Sequence, residues 1–335
     1  MHIVSFPGLG IDGFKLSDTA FSIPFGESPF EIKWYGVIIG MGMMLAVLYI
    51  FLRARQFKLF GDDLCDLVLF TIPCGVIGAR LYYVFADSGT GSLASKIFAN
   101  KSLNILQKIL ELFNIRGGGL AIYGGIIVGA LTIFLVCRYK KINILKFLDC
   151  VAPGVMLAQA IGRWGNFFNG EAYGCQTDLP WRMGLLPNVD SAITMNYYHP
   201  TFLYECLWNL LGFTLINLFY KKKKFDGQWF LAYVAWYGTG RAFIELLRTD
   251  SLWIFNHTIR VSTLVGTLSA LAAIGVGILL YIRSKGTKPS DCIYYENSKR
   301  YLQLFGNEAA EVKENGEENS EENIEENTNV NNTEE

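Results

Sequence analysis

Charge is what this chain has little of. Asp, Glu, Lys and Arg make up 18% of its 335 residues, against 51% hydrophobic residues. With a mean hydropathy of +0.28 and several apolar runs near or above the roughly 20 residues that cross a bilayer, the composition excludes an ordinary water-soluble domain. The amino terminus lacks the basic stretch and continuous apolar core of a cleavable signal peptide, so residues 1–30 read as a retained extracytoplasmic or interfacial segment. HExxH, GxSxG, P-loop and GxGxxG contexts are missing, which removes zinc proteases, serine hydrolases and nucleotide enzymes. The seven cysteines (Cys65, Cys74, Cys137, Cys150, Cys175, Cys206, Cys292) are odd in number, scattered and without metal-ligand spacing. They read as small apolar packing residues, and no metal or cofactor is expected. Neither solenoid nor inverted repeats stand out. The net charge of −1 conceals a basic membrane part offset by an acidic tail.

The apolar runs predict an all-α polytopic membrane protein of about seven transmembrane helices: 34–52, 64–85, 117–137, 147–163, 201–220, 229–247 and 260–282. Basic residues follow the first (Arg53, Arg55, Lys58), third (Arg138, Lys140, Lys141), fifth (Lys221 to Lys224) and seventh (Arg283, Lys285, Lys288). That pattern places the N-terminus outside and the C-terminus in the cytoplasm. Apolar residues at helical spacing over 96–113 predict an amphipathic helix on the outer surface. Residues 164–200 are rich in Gly, Pro, Asn and Asp and are expected to form a small extracytoplasmic loop region. Within this scheme 31–285 is the membrane domain. Residues 286–335 form a cytoplasmic tail, largely disordered, since beyond about residue 305 it is too poor in apolar residues to offset ordering entropy.

Polar groups inside apolar runs are expensive, so they mark a site. Arg163, Asn166, Asn169 and Glu171 follow the fourth run directly, and Asp149 precedes Arg163 by fourteen residues on the same helix. The bland reading of Asp149 is an ion pair or a helix-start carboxylate. Tyr237, Arg241, Glu245 and Arg248 are spaced by four, four and three, one stripe on one helix face. Two arginines with one glutamate leave a surplus positive charge suited to a phosphate. His199 and Glu205 stand at the start of the fifth span, and Arg80 and Tyr35 add candidates in the second and first. His199 reads as a structural hydrogen-bonding partner or a general base. Anionic lipid in the bilayer is the natural substrate class, and no nucleic-acid partner is expected. A transporter or a non-catalytic lipid-binding protein would carry similar charges; the first would show flux, the second tolerance of arginine-to-lysine swaps.

The run Gly162-Arg163-x-Gly165-Asn166-Phe167-x-Asn169-x-Glu171-x-x-Gly174 resembles the signature of bacterial phosphatidylglycerol-prolipoprotein diacylglyceryl transferases. Lys33-Trp34-Tyr35-Gly36, Gly78-Ala79-Arg80, His199-Pro200 with Leu203-Tyr204-Glu205, and Tyr237-Gly238-x-Gly240-Arg241 with Glu245 and Arg248 resemble further family motifs in order. The resemblance covers about residues 30–285. It implies transfer of the diacylglyceryl group of phosphatidylglycerol to the lipobox cysteine of a preprolipoprotein, in the bacterial cytoplasmic membrane with the site toward its outer face.

On that resemblance Arg163 and Arg241 hold the lipid phosphate and Asn166, Asn169 and Tyr237 orient the head group. Glu171 and Glu245 would fix the arginines, with Gly174, Arg248, Tyr35 and Arg80 in the substrate site. Many family members place a histidine where this chain has Tyr123, ahead of Gly124-Gly125. The base stays open among His199, Glu205 and a water acting through Tyr123.

Overall fold

The computed structural model describes residues 1–24, 29–86, 92–100, 102–114, 118–186, 195–254, 259–285 and 292–306. Its helices are α1 (Trp34–Ala54), α2 (Gly61–Ala86), α3 (Leu93–Ala99), α4 (Ile105–Leu112), α5 (Ile122–Tyr139), α6 (Ile144–Asn169), α7 (Thr201–Phe219), α8 (Gln228–Ile244) and α9 (Val261–Arg283). The strands are β1 (His2–Phe6), β2 (Ile11–Leu16), β3 (Thr19–Ile23), β4 (Phe30–Lys33), β5 (Met183–Leu186), β6 (Asn196–Tyr198), β7 (Trp253–Ile254) and β8 (Ile259–Arg260). Among the described residues six segments, built on α1, α2, α5, α6, α7 and α9, are long and apolar enough to cross a membrane. The protein is thus mostly helical and of polytopic membrane type. At 17 residues α8 is shorter than these six. The chain divides into two compact units, residues 1–57 with 145–291 and residues 58–144 with 292–335.

The first unit corrects the all-α expectation. Residues 1–16 and 183–198 contribute to one antiparallel sheet, ordered β2-β1-β5-β6, with Val4 opposite Leu185. Val4, Met183 and Leu185 are buried with Phe167 of α6 and Phe202 of α7, which seats the sheet on the ends of those helices. Strands of three to six residues, with β1 and β5 paired across more than half of the chain, leave too little local periodicity to be read from sequence.

Asp149, fully buried on α6, explains how α8 begins. Its Oδ1 accepts from the backbone N–H of Trp229 (2.8 Å) and Phe230 (3.0 Å), and Oδ2 from Gly227 (2.9 Å). A helix start leaves N–H groups unpaired and favours negative charge, so a carboxylate there answers both needs. Lys223 lies 3.0 Å from the same carboxylate and 2.9 Å from Asp226. Asp149 is both an ion-pair partner, of Lys223 of the lysine run, and a helix-start carboxylate, for α8 rather than its own helix. Further along, α7 and α8 are locked by stacked Trp208 and Trp236, whose indole N–H groups each donate to the other's carbonyl at 2.9 Å.

In the second unit α2 and α5 cross closely. A Cβ added at Gly78 would lie 2.7 Å from the Gly124 carbonyl oxygen, the small-residue contact by which membrane helices approach. The expected single helix over 96–113 is two, α3 and α4. Asn104 starts α4 with a capping box, accepting from Gln107 N–H while the Gln107 side chain accepts from its own N–H. The expected third span opens at Ile122; Gly118 and Gly119 take positive φ ahead of it, and Gly117 lies outside the described residues.

Within the stretch expected to be a disordered tail, residues 292–306 are folded. Cys292, Ile293 and Tyr294 are buried, and Tyr294 bridges Ile142 in antiparallel fashion. Residues 307–335 lie outside the described residues. Buried Asp63 at the start of α2 is held by Lys140 (2.6 Å), the Tyr294 hydroxyl (2.6 Å) and Arg300 (3.3 Å). Removing one partner of a buried ion pair leaves an uncompensated charge. Lys140→Ala is therefore expected to destabilise the protein by about 3 kcal/mol, and Tyr294→Phe by about 1 kcal/mol, read from thermal unfolding in detergent. Equal melting points for both variants and the wild type would show that Asp63 is not clamped.

Candidate active site

The signature run folds as the end of a helix, and that explains its spacing. Helix α6 continues to Asn169, six residues beyond Arg163 where a loop had been expected. It closes on a Schellman turn: Gly170 N–H donates to the Phe167 carbonyl and Glu171 N–H to the Asn166 carbonyl, both at 3.1 Å. Gly170 occupies the left-handed position with φ +63, where a side chain would be strained. This turn brings Glu171 back over the last helical turn. Its Oε1 accepts from the amides of Asn166 (3.0 Å) and Asn169 (3.2 Å). Glu171 thus orients the two asparagines and makes no ion pair with Arg163, contrary to the expectation that it fixes an arginine.

That task belongs to Glu205. Arg163 from α6 lies 2.8 Å from its Oε2, Arg241 from α8 lies 2.7 Å from its Oε1, and Arg248 lies 3.6 Å from the same Oε1. Glu205 itself, on α7, is 3% exposed. The other Arg241 nitrogen reaches Glu245 at 2.6 Å. Arg163 also donates to Asn166 at 3.4 Å, joining the node to the amide group. Residues from three helices and the segment after α8 therefore meet in one network of charge pairs around Glu205.

Two corrections follow for the stripe on span six. Helix α8 ends at Ile244 with a 3-10 turn over Glu245–Leu247, and Arg248 is extended (φ −77, ψ 147), so the stripe breaks before its last member. Arg248 is instead forked to Asp250 at 2.9 and 2.7 Å. Burial raises the Asp250 carboxyl, but the Arg248 hydrogen bonds and charge outweigh it, so the group titrates below its ordinary value. With Glu205 and Asp250 counted, three arginines face three carboxylates, and the expected surplus of positive charge is absent from this arrangement. Asp250 went unnoticed in the sequence because an acidic residue two places after an arginine is common.

Gly174 has a packing role. Its N–H donates to the His199 carbonyl at 2.9 Å, and a Cβ there would stand 2.7 Å from that of His199. Cys175 N–H donates to the Leu247 carbonyl at 2.6 Å, and Thr201 donates its hydroxyl to the Ala172 carbonyl. Three chain segments are thereby pinned beside the node.

His199 hydrogen-bonds the Tyr204 hydroxyl through Nδ1 (3.1 Å), and Trp181 donates to that hydroxyl at 2.8 Å. Burial lowers the imidazole below its ordinary value and keeps it neutral near pH 7. It lines an apolar cavity of 480 Å³ with Leu203, Leu207 and Leu247.

The Tyr35 ring packs against Gly165, where a Cβ would come within 2.8 Å of it. Beside it a second cavity of 480 Å³ is lined by Lys33, Asn169 and Glu171 among others. Tyr237 stacks on Tyr233, ring centroids 6.0 Å apart. Arg80 and Tyr123 lie in the second unit. The Tyr123 ring, at the start of α5, tilts against Tyr82 at 6.4 Å.

The sequence model of a family described as prolipoprotein diacylglyceryl transferase matches residues 20–282. A phosphatidylglycerol–prolipoprotein diacylglyceryl transferase of Streptococcus uberis is 42% identical over 261 residues, 77% of this chain and 94% of that protein. Its namesake in Enterococcus faecalis is 43% identical over 264 residues, 77% of this chain and 90% of that one. One from Clostridium perfringens is 39% identical over 276 residues, 81% and 98% of the two chains. The family match spans every helix that carries the Glu205 node, and the chain belongs to the prolipoprotein diacylglyceryl transferase family.

Proposed function

We propose that the chain transfers the diacylglyceryl group of phosphatidylglycerol to the thiol of a lipobox cysteine, and that the Arg163–Glu205–Arg241 node handles the phosphate. The convergence of two signature arginines on one buried carboxylate carries the assignment of roles. The attacking sulfur forms a bond to the glyceryl carbon as that carbon's bond to the phosphate oxygen breaks. The bonding pair stays on the oxygen, the head group leaves as glycerol 1-phosphate, and the phosphate gains one negative charge. Guanidinium forks aimed at that charge stabilise it more in the transition state than in the ground state. To admit the lipid, the arginines exchange part of their hold on Glu205 for phosphate oxygens, and Glu245 and Asp250 keep them in place. Asn166, Asn169 and Tyr237 orient the glycerol head group.

Only the thiolate is an effective nucleophile, so the thiol proton must leave. Glu205 would have to give up an ion pair to take it, and His199 is engaged with Tyr204.

In the membrane, α8 is the sixth of seven spans. Basic residues after α1, α5, α7 and α9 set the N-terminus and the node toward the outer face of the bacterial cytoplasmic membrane. The partners are phosphatidylglycerol, the preprolipoprotein segment and the bilayer. The test is mass spectrometry of a lipobox peptide incubated with the purified protein in phosphatidylglycerol vesicles. The peptide is expected to gain a diacylglyceryl mass, and its Cys→Ser version to gain none. Modification of the serine peptide, or none of the cysteine peptide, would overturn the assignment.

A further inference from the structure

A second polar pair, also within the first unit, joins α6 to α8 nearer the start of both helices. Gln159 stands four residues before Arg163 and Tyr233 eight before Arg241, so the pair shares the helix faces that carry the two arginines. On α6 the separation is one turn, roughly 6 Å. Gln159 Nε2 donates to the Tyr233 hydroxyl at 3.0 Å. Tyr237, between Tyr233 and Arg241 in sequence, stacks on the Tyr233 ring. On its other side Tyr233 packs against the buried apolar cluster of Met156, Ile216 and Trp229. From the Arg163–Glu205–Arg241 node the face therefore runs from charged to neutral polar to apolar. A phospholipid runs in the same order, from phosphate through esters to chains.

The pair is incomplete by itself. Two amide protons and one phenolic proton can donate, and the internal bond uses one of them whichever way it runs. Among the described residues the other two have no acceptor, and Gln159 Oε1 is buried without a partner. A half-turn of the amide lets Oε1 accept the phenolic proton and leaves both N–H groups for a ligand. Polar groups left unpaired in apolar surroundings are costly, and a ligand with acceptors relieves that cost. Neutral donors suit neutral acceptors, since an anion is held better by the arginines one turn away.

We infer that Gln159 and Tyr233 form a subsite for the ester carbonyls of the diacylglyceryl group. The inference rests on the transferase reading above and adds the part of the lipid that the arginines do not touch. In phosphatidylglycerol one ester stands on the carbon next to the phosphorylated one. Gripping both the phosphate and that ester fixes the glyceryl carbon that the thiol attacks.

The test compares two lipids in phosphatidylcholine vesicles: diacyl phosphatidylglycerol and its dialkyl ether analogue, which keeps the reacting carbon and lacks the ester carbonyls. Lipidation of a lipobox peptide by the full-length protein is followed as kcat/KM for each. The wild type is expected to favour the diacyl lipid about 10-fold, the effect of one or two neutral hydrogen bonds. In Tyr233→Phe and Gln159→Leu that preference should fall below about 3-fold, through loss on the diacyl lipid. Damage to packing alone would lower both rates together and keep the ratio. Tyr233→Phe retains the ring that stacks on Tyr237, so it decides the matter should Gln159→Leu not fold. Equal use of both lipids by the wild type, or a preference left intact in Tyr233→Phe, would overturn the subsite and leave the pair a structural contact. Lipidation with neither lipid would instead overturn the transferase reading.

Discussion

Arg241→Lys is expected to cost about 100- to 1,000-fold in kcat/KM, the range seen when a preorganised donor to developing charge is removed. The guanidinium makes two separate contacts through different nitrogens, 2.7 Å to Glu205 and 2.6 Å to Glu245. It lies where those two carboxylates can hold it rigid while its remaining N–H groups meet a phosphate. Lysine preserves the charge but supplies a point cation on a flexible stem, so it can answer one carboxylate and leave the other unpaired. The loss should appear in single-turnover lipidation, where product release cannot mask it. A variant that keeps the wild-type melting point and loses less than about threefold, well under one donor's worth, would take Arg241 out of the chemistry. Arg163→Lys tests the other side of the node, and its loss should be of the same order, since Arg163 faces Glu205 at 2.8 Å.

Glu205→Gln is expected to damage both folding and activity. The carboxylate is 3% exposed and lies within 2.7 to 3.6 Å of nitrogens from three arginines. The amide keeps the volume and removes the charge, leaving guanidiniums to repel one another in a poorly solvated place. Removing one partner of a buried ion pair costs about 3 to 5 kcal/mol. A melting point well below that of the wild type is the direct readout. The freed arginines should then bind an anion, so added inorganic phosphate should raise the melting point of Glu205→Gln more than that of the wild type. An unchanged melting point would mean that the carboxylate is not the counter-ion of the node. Lost activity with normal stability would return Glu205 to the role of base.

The helices were legible because membrane length and apolar composition are local properties, and most helix boundaries fall within a few residues of the apolar runs. The end of α6 is the instructive exception. Residues 164–169 look like loop by composition, yet the Schellman turn at Gly170 shows a helix that carries its polar groups to its last residue. Asn166 and Asn169 owe their common partner, Glu171, to that turn. The four-stranded sheet could not be read because Val4 and Leu185 are partners separated by more than half of the chain. Of the residues singled out in the sequence, the structure brings Arg163, Glu205, Arg241 and Arg248 together. Chemistry-bearing residue types mark Arg163, Glu205 and Arg241, but which carboxylate meets which arginine is decided by how α6, α7 and α8 pack. Arg80 shows the same limit: an arginine in an apolar run announces a need for partners, and nothing in the sequence says that the backbone carbonyls of Glu111, Leu112, Gly118 and Gly119 meet it.

The most direct measurement of the central claim is the stoichiometry of the reaction. Purified protein in phosphatidylglycerol vesicles would be given a lipobox peptide, with glycerol 1-phosphate and lipidated peptide followed in the same sample. One glycerol phosphate released for each thioether formed, with both signals lost together in Arg163→Lys and Arg241→Lys, is the predicted result. Release of glycerol phosphate without thioether formation, or lipidation undiminished in both variants, would contradict it.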